Sequence, residues 1–173
     1  MSLRPRLTLI AAISEDGFIS RGQGVPWNLP RDRRHFRSAT AGKWLLIGRR
    51  TYQEMLGWFE DHTPLVLTQN RTFVPSVGKV VHSIHEALDL AAEARVPELF
   101  VCGGAGVYAD SISIADRLLV THVKNLLGDG VRFPAIESPP WHLISKIEHP
   151  ADDENAFKIS FATYERQKEK SAE

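Results

Sequence analysis

A carboxylate placed beside apolar groups is the feature of this sequence best suited to chemistry. Pro30 suits the first position of a helix, and from there Asp32, Phe36 and Ala39 recur at i, i+4 and i+7, so an acid, an aromatic ring and a small residue share one helical face. A buried acid in that setting can orient and polarise a bound ring. The same spacing also fits a first-turn carboxylate that only complements the helix dipole, worth well under about 1 kcal/mol. The segment before it, Gly17–Asp32, is rich in glycine, proline and apolar side chains, and a loop of that length in a compact protein is either functional or disordered.

Two further segments have the types needed to hold an anion. Gly48-Arg49-Arg50-Thr51 follows an apolar run and opens a helix, where free backbone N–H groups and arginine forks suit phosphate; surface arginines would look the same. Gly103-Gly104-Ala105-Gly106 lies after another apolar run, where glycines let a ligand approach the backbone, or simply make a tight turn. Other chemistries lack their patterns. The 7 histidines show no metal-ligand spacing, the lone Cys102 reads as strand filler, and neither a nucleophile elbow nor a Walker-type loop is present. No metal site is expected.

The elements that must position these residues follow from the apolar pattern. Leu7–Ile13, Trp44–Gly48, Leu65–Thr68, Lys79–His82, Leu99–Gly103 and Arg117–Val123 are mostly continuous apolar runs, which predicts strands covered on both faces. Between them lie helix signals, among them the capping boxes Thr51-x-x-Glu54 and Ser83-x-x-Glu86, the second opening Ala87–Ala94. Alternating strand and helix imply an α/β fold with a mainly parallel central sheet flanked by helices. Trp141–His149 and Ala156–Arg166 alternate around the polar turn Pro150–Asn155, predicting a C-terminal antiparallel hairpin. The 173 residues suit one domain, with 43% hydrophobic and 24% charged residues and a net charge of zero. That composition gives no bias toward nucleic acid or membrane, and without a signal peptide or spanning segment a cytoplasmic monomer is expected. The charged tail Gln167–Glu173 is expected to fray.

In this order the motifs resemble dihydrofolate reductase of the bacterial chromosomal type, from about Leu7 to Gln167. Val25-Pro-Trp-Asn-Leu-Pro-Arg-Asp32 is similar to the family's P-W-x-L-P-x-[DE] segment; Gly48-Arg-Arg-Thr51, Cys102-Gly-Gly-Ala-Gly-Val-Tyr108, Leu119-Val-Thr-His122 and Arg132-Phe-Pro134 fall where its later motifs fall. The resemblance implies NADPH-dependent reduction of 7,8-dihydrofolate to tetrahydrofolate, which supplies one-carbon metabolism. It implies that Asp32 pairs with the pterin 2-amino group and N3, supported by Thr121, and that Trp27 holds a water near that carboxylate. Ala12, Ile19, Val25, Phe36 and Met55 would line the pterin and benzoyl pocket, with Cys102 and Tyr108 beside it and Ala12, Ile19 and Tyr108 also meeting the cofactor. Gly48, Arg49, Arg50 and Thr51 would bind the NADPH phosphates, Arg49 chiefly the 2′-phosphate, and Gly103, Gly104, Ala105, Gly106 and Val107 the pyrophosphate. Residues Asp16–Val25 would form a mobile loop.

Three positions depart from the family pattern. Where folate-using members carry an arginine that clamps the glutamate carboxylate, this chain has His62; Arg33 replaces a small apolar residue; and the late G-D-T motif becomes Gly128-Asp-Gly-Val131. The implied tail site therefore rests on His62 and Arg33. The alternatives are a reductase of a dihydropterin without a glutamate tail, such as dihydromethanopterin, and a catalytically silent nucleotide- or pterin-binding module.

Overall fold

Alternation inside the apolar runs shows why they are central strands. In a computed structural model describing residues 3–138 and 140–168, Leu7, Leu9, Leu46, Leu65, Leu99 and Val101 pack on one face of a sheet, with Ala87 and Leu88 from a covering helix. Their neighbours Ile10, Leu45, Ile47, Val66 and Phe100 pack on the other with Tyr52, Phe36 and Ala39. Both faces are dry, so a strand here carries no polar face.

The strands are β1 (Arg6–Ser14), β2 (Phe18–Ser20), β3 (Trp44–Gly48), β4 (Thr63–Leu67), β5 (Lys79–Val81), β6 (Glu98–Val101), β7 (Arg117–Val123), β8 (Val131–Arg132), β9 (Trp141–His149) and β10 (Ile159–Arg166). The helices are α1 (Pro30–Thr40), α2 (Arg49–Glu54), α3 (Ile84–Glu93) and α4 (Ala105–Ser111). The main sheet has the order β5-β4-β3-β6-β1-β7-β10-β9, parallel from β5 to β7 and antiparallel from β7 to β9. The expected α/β architecture and closing hairpin are both present. A second, two-stranded ribbon of β2 and β8 was not anticipated. Its strands are too short to show alternation, and Gly130 is required there because a Cβ would come within 2.2 Å of Ser20 O.

One predicted cap is present and one is not. Ser83 Oγ accepts from Glu86 N at 3.0 Å, while Glu86 Oε2 reaches back to accept from His82 N at 2.6 Å. Thr51, however, lies inside α2, whose N-cap is Gly48, and caps nothing. The chain turns directly from the end of β3 into the helix, so Thr51 enters at the third helical position. α1 likewise lacks a side-chain cap of its own, with Leu29 at the N-cap and Pro30 leading the helix. A distant residue compensates: Asn155 Oδ1 accepts from Arg31 N at 3.0 Å, and Asp152 pairs with Arg31 Nη2 at 2.8 Å.

Boundaries also moved. β4 begins at Thr63 rather than Leu65, since Thr63 N already bonds Lys43 O at 3.1 Å, and β10 begins at Ile159 because the turn before it is held to α1. At the end of the sheet where β1 starts, Asp116 Oδ2 accepts from Leu7 N at 2.7 Å and Arg4 Nη1 at 2.9 Å, and its carbonyl from Arg166 N at 3.0 Å. The part of the charged tail from residue 169 on lies outside the described residues.

Candidate active site

Asp32 lies in the first turn of α1 against the C-terminal half of β7, where Thr121 Oγ1 donates to its Oδ1 at 2.6 Å. Thr121 stands between Ala12 of β1 and Phe161 of β10 in register, so the bond fixes the helix start over the strands beside it. Burial raises the Asp32 carboxyl above its usual value, offset by the Thr121 bond and by His35 and Arg33. Trp27 is buried in a cluster with Phe18, Leu29 and Val123, against which Ala12 packs. Among the described residues its Nε1–H has no hydrogen-bond partner, so an indole donor is left for a ligand or water.

Phe36 and Met55 pack together against Ile10, Tyr52 and Cys102. Cys102 is thus part of the apolar packing, and burial drives its thiol far above the usual range. Ile19 packs against the main core, which also contains Tyr108 and Val107. Val25 is not brought in: it is 65% exposed at the loop tip, where the nearest tie is a long 3.4 Å bond from Gly24 N to Glu54 Oε2. Arg33 is exposed and donates to Asn28 Oδ1 at 2.6 Å.

His62, expected to serve the substrate tail, is engaged within the protein. Its side chain is 1% exposed. Nδ1 accepts from Glu60 N at 3.3 Å and Nε2 faces Thr40 Oγ1 at 3.3 Å, while the Thr40 hydroxyl gives its proton to Phe36 O at 2.8 Å. The ring also packs on Trp58, 4.6 Å between centroids. Burial holds the imidazole below its ordinary value. Both nitrogens are used inside the protein, so His62 ties α1 to the segment before β4 and has no donor to spare.

A second group of candidate residues lies where β3 and β6 end side by side. Gly48 N donates to Gly103 O at 2.8 Å. The packing excludes side chains: a Cβ on Gly104 would meet Thr51 Oγ1 at 3.1 Å, and one on Gly48 would meet Val107 Cγ2 at 3.3 Å. A Cβ on Gly106 would meet nothing within 4 Å, so the start of α4 presents backbone to open space. The Gly103–Gly104 peptide is cis. Tyr108 is buried, its hydroxyl donating to Ile10 O at 2.7 Å. Arg50 is exposed, and Arg49 lies with its guanidinium carbon 5.3 Å over the Phe73 ring. Among the described residues Arg49 has no carboxylate partner, which leaves its fork for an anion. These features suit a dinucleotide phosphate chain followed by a charged ribose.

The loop between β1 and α1 is anchored at its base. Asp16 accepts from Ser14 Oγ at 2.6 Å, Leu127 N at 3.1 Å and Gly128 N at 2.7 Å, which together hold its carboxyl down to about 2. Arg132 adds a bond to Asp16 O at 3.2 Å and lies 4.4 Å over Phe18.

Sequence reasoning did not single out Asn155, Trp58, Phe73 or Arg37. Only the first left a readable signal, the Asp152-x-x-Asn155 turn, in which Asn155 N bonds Asp152 Oδ1 at 2.8 Å. The others act through contacts between distant segments.

A dihydrofolate reductase type 3 of Salmonella typhimurium is 32% identical over 94% of this chain and 99% of its own length. The dihydrofolate reductase of Bacillus subtilis is 27% identical over 96% and 98%. The structure of dihydrofolate reductase from Enterococcus faecalis complexed with NADP(H) and RAB-propyl superimposes with a TM-score of 0.83 at 28% identity, covering 96% of this chain and 100% of that one. No helix among the described residues is long and apolar enough to cross a membrane. Residues 6–166 match the family described as dihydrofolate reductase, and the chain belongs to that family.

Proposed function

We infer that this chain reduces 7,8-dihydrofolate to 5,6,7,8-tetrahydrofolate with NADPH. The observation that carries the reading is the Asp32–Thr121 pair, an acid on the same helix as Phe36, which packs with Met55, in the sheet that also bears the glycine cradle and Arg49. Ionised Asp32 accepts hydrogen bonds from the pterin 2-amino group and N3, and the Thr121 hydroxyl keeps the carboxylate in line with them. Phe36 and Met55 enclose the ring and its benzoyl neighbour. The bound cofactor supplies a hydride to C6. N5 takes a proton from water, which the Trp27 indole N–H is free to hold, while Asp32 acts across the ring by orientation and polarisation. Arg49 and Arg50 meet the cofactor phosphates and the backbone of Gly103–Val107 meets the pyrophosphate. The reading is of a monomeric cytoplasmic enzyme of one domain that binds no nucleic acid, in line with a net charge of zero.

The test is NADPH oxidation with dihydrofolate, with Asp32→Asn as control. The engagement of both His62 nitrogens within the protein favours one other reading, a reductase of a tail-less dihydropterin. Activity on such a pterin with none on dihydrofolate would select it.

A further inference from the structure

The end of the sheet opposite Thr121 carries a cavity that the reductase site does not use. It encloses about 1060 Å³ between the start of β1, the turn from α3 into β6, the start of β7 and the end of β10, room enough for a small ligand. Ala12, beside the pterin, stands about 20 Å further along β1 from Arg6 at the usual strand rise, so the two sites hold different ligands.

Several cations of this lining have no carboxylate partner. Arg4 is paired with Asp116 at 2.9 Å and Arg117 with Glu98 at 2.5 Å. Arg166 is fixed by the carbonyls of Ala115 and Ile112 and lies 4.6 Å over Trp141. Arg6, Arg95 and Lys168 also line the cavity, and all three are exposed. Among the described residues their side chains have no hydrogen-bond or ion-pair partner. Against them stand Glu93 and Glu165, the acids of the lining outside any ion pair among the described residues.

Arg95 holds its place at a cost. It follows Ala94, the C-cap of α3, with φ at 57°, the left-handed region that glycine fills most readily. No other non-glycine residue among those described has a positive φ. Arg95 N bonds Ala92 O at 3.0 Å and Val96 N bonds Ala91 O at 2.8 Å, so the last carbonyls of α3 are capped and do not face an incoming anion bare. Glycine would close the same turn without strain. What arginine adds is a guanidinium on the cavity wall.

We propose that this cavity is a second ligand site, which takes a small phosphorylated molecule: Arg6, Arg95 and Lys168 receive the phosphate, and Pro5, Val96 and Pro97 form the apolar wall for its organic body. A phosphate accepts hydrogen bonds from several directions, which suits donors carried by three separate segments; a carboxylate offers one plane, which a single arginine fork fills. Glu93 and Glu165 are placed to accept from hydroxyl or amino groups of the body.

The test is calorimetric titration of the NADPH-saturated enzyme with inorganic pyrophosphate, so that the cofactor cradle is already filled, with citrate as a carboxylate of similar charge. One site per chain with a Kd of about 1 mM or tighter is expected. Arg95→Gly should weaken it about tenfold, as for a charge-assisted contact open to solvent, and should raise the melting temperature of the anion-free enzyme by relieving the left-handed residue. Arg6→Gln should weaken binding without that thermal gain, and Arg49→Ala should leave the Kd unchanged. No binding at about 10 mM, a Kd unmoved by both Arg95→Gly and Arg6→Gln, loss of binding in Arg49→Ala, citrate bound as tightly as pyrophosphate, or an Arg95→Gly enzyme that melts below the parent overturns the proposal.

Discussion

Thr121 and Asp32 are 89 positions apart in the chain and are joined by a 2.6 Å hydrogen bond in which the threonine donates. A hydroxyl that donates to the carboxylate favours its charged form, whereas the burial around it favours the neutral one. Burial is the larger effect, so the site holds an acid that ionises less readily than an ordinary aspartate.

That balance predicts opposite changes in activity and stability for Asp32→Asn. Activity should fall by at least about tenfold, because an amide cannot form the same charge-assisted bonds to the pterin. Stability at pH 7 should rise. With the folded pKa above the unfolded value near 3.8, the folded state binds more protons between the two, so ionisation costs stability as pH rises through that window. Asparagine removes the cost. Thermal melts should show the variant ahead at pH 7 and the two converging near pH 3.5; no gain at pH 7 contradicts the account.

Cofactor choice should depend on Arg49. Removing its fork in Arg49→Ala loses a charge-assisted contact to the 2′-phosphate worth about 1.5–3 kcal/mol, or roughly tenfold to a hundredfold in NADPH preference. Phe73→Leu should lose a smaller part, about twofold to fivefold, since the ring only steadies the guanidinium. Equal KM values for NADPH and NADH in the parent enzyme would rule this out.

His62 should make the fold sensitive to mild acid. Its pKa is lowered by burial, so the unfolded chain binds the proton more readily, and stability is full above the ordinary value of 6.5 and declines as pH falls below it toward the folded pKa. His62→Gln should flatten denaturant midpoints measured between pH 7 and pH 5. A parent protein with no decline across that range would count against the buried neutral ring.

The anchor at Asp16 works in the same sense at lower pH. Its carboxyl is depressed to about 2 by Ser14 and the Leu127 and Gly128 amides, so the support it lends is present above the unfolded value of 3.8 and lost as pH falls through 2. Asp16→Ala should loosen the loop at every pH above that. Limited proteolysis within residues 16–25 should speed up severalfold, on the order of one lost anchor bond, while the global melt moves little.

The central strands were legible because both faces of the sheet are covered, and continuous runs such as Arg117–Val123 need no context to be recognised. Asp32 was legible through Pro30 and the spacing to Phe36. What escaped depends on pairs far apart in the chain: Asn155 capping α1, Phe73 under Arg49, and Trp58 between Phe36 and Arg37. Thr51 was misjudged as a cap because the turn out of β3 is tighter than its motif implies. The partners of His62 escaped for a related reason, since a donor count at one position does not reveal that Thr40 and Glu60 engage both nitrogens.

Asp116 has a practical consequence for handling the molecule. Through its side chain and carbonyl it gathers Arg4 and Arg166 at one corner, at the end of β7 opposite Thr121. An affinity handle, surface tether or fluorescent label grafted onto that corner would hang away from the reacting pterin, so the enzyme can be immobilised there with its catalytic side facing the bath.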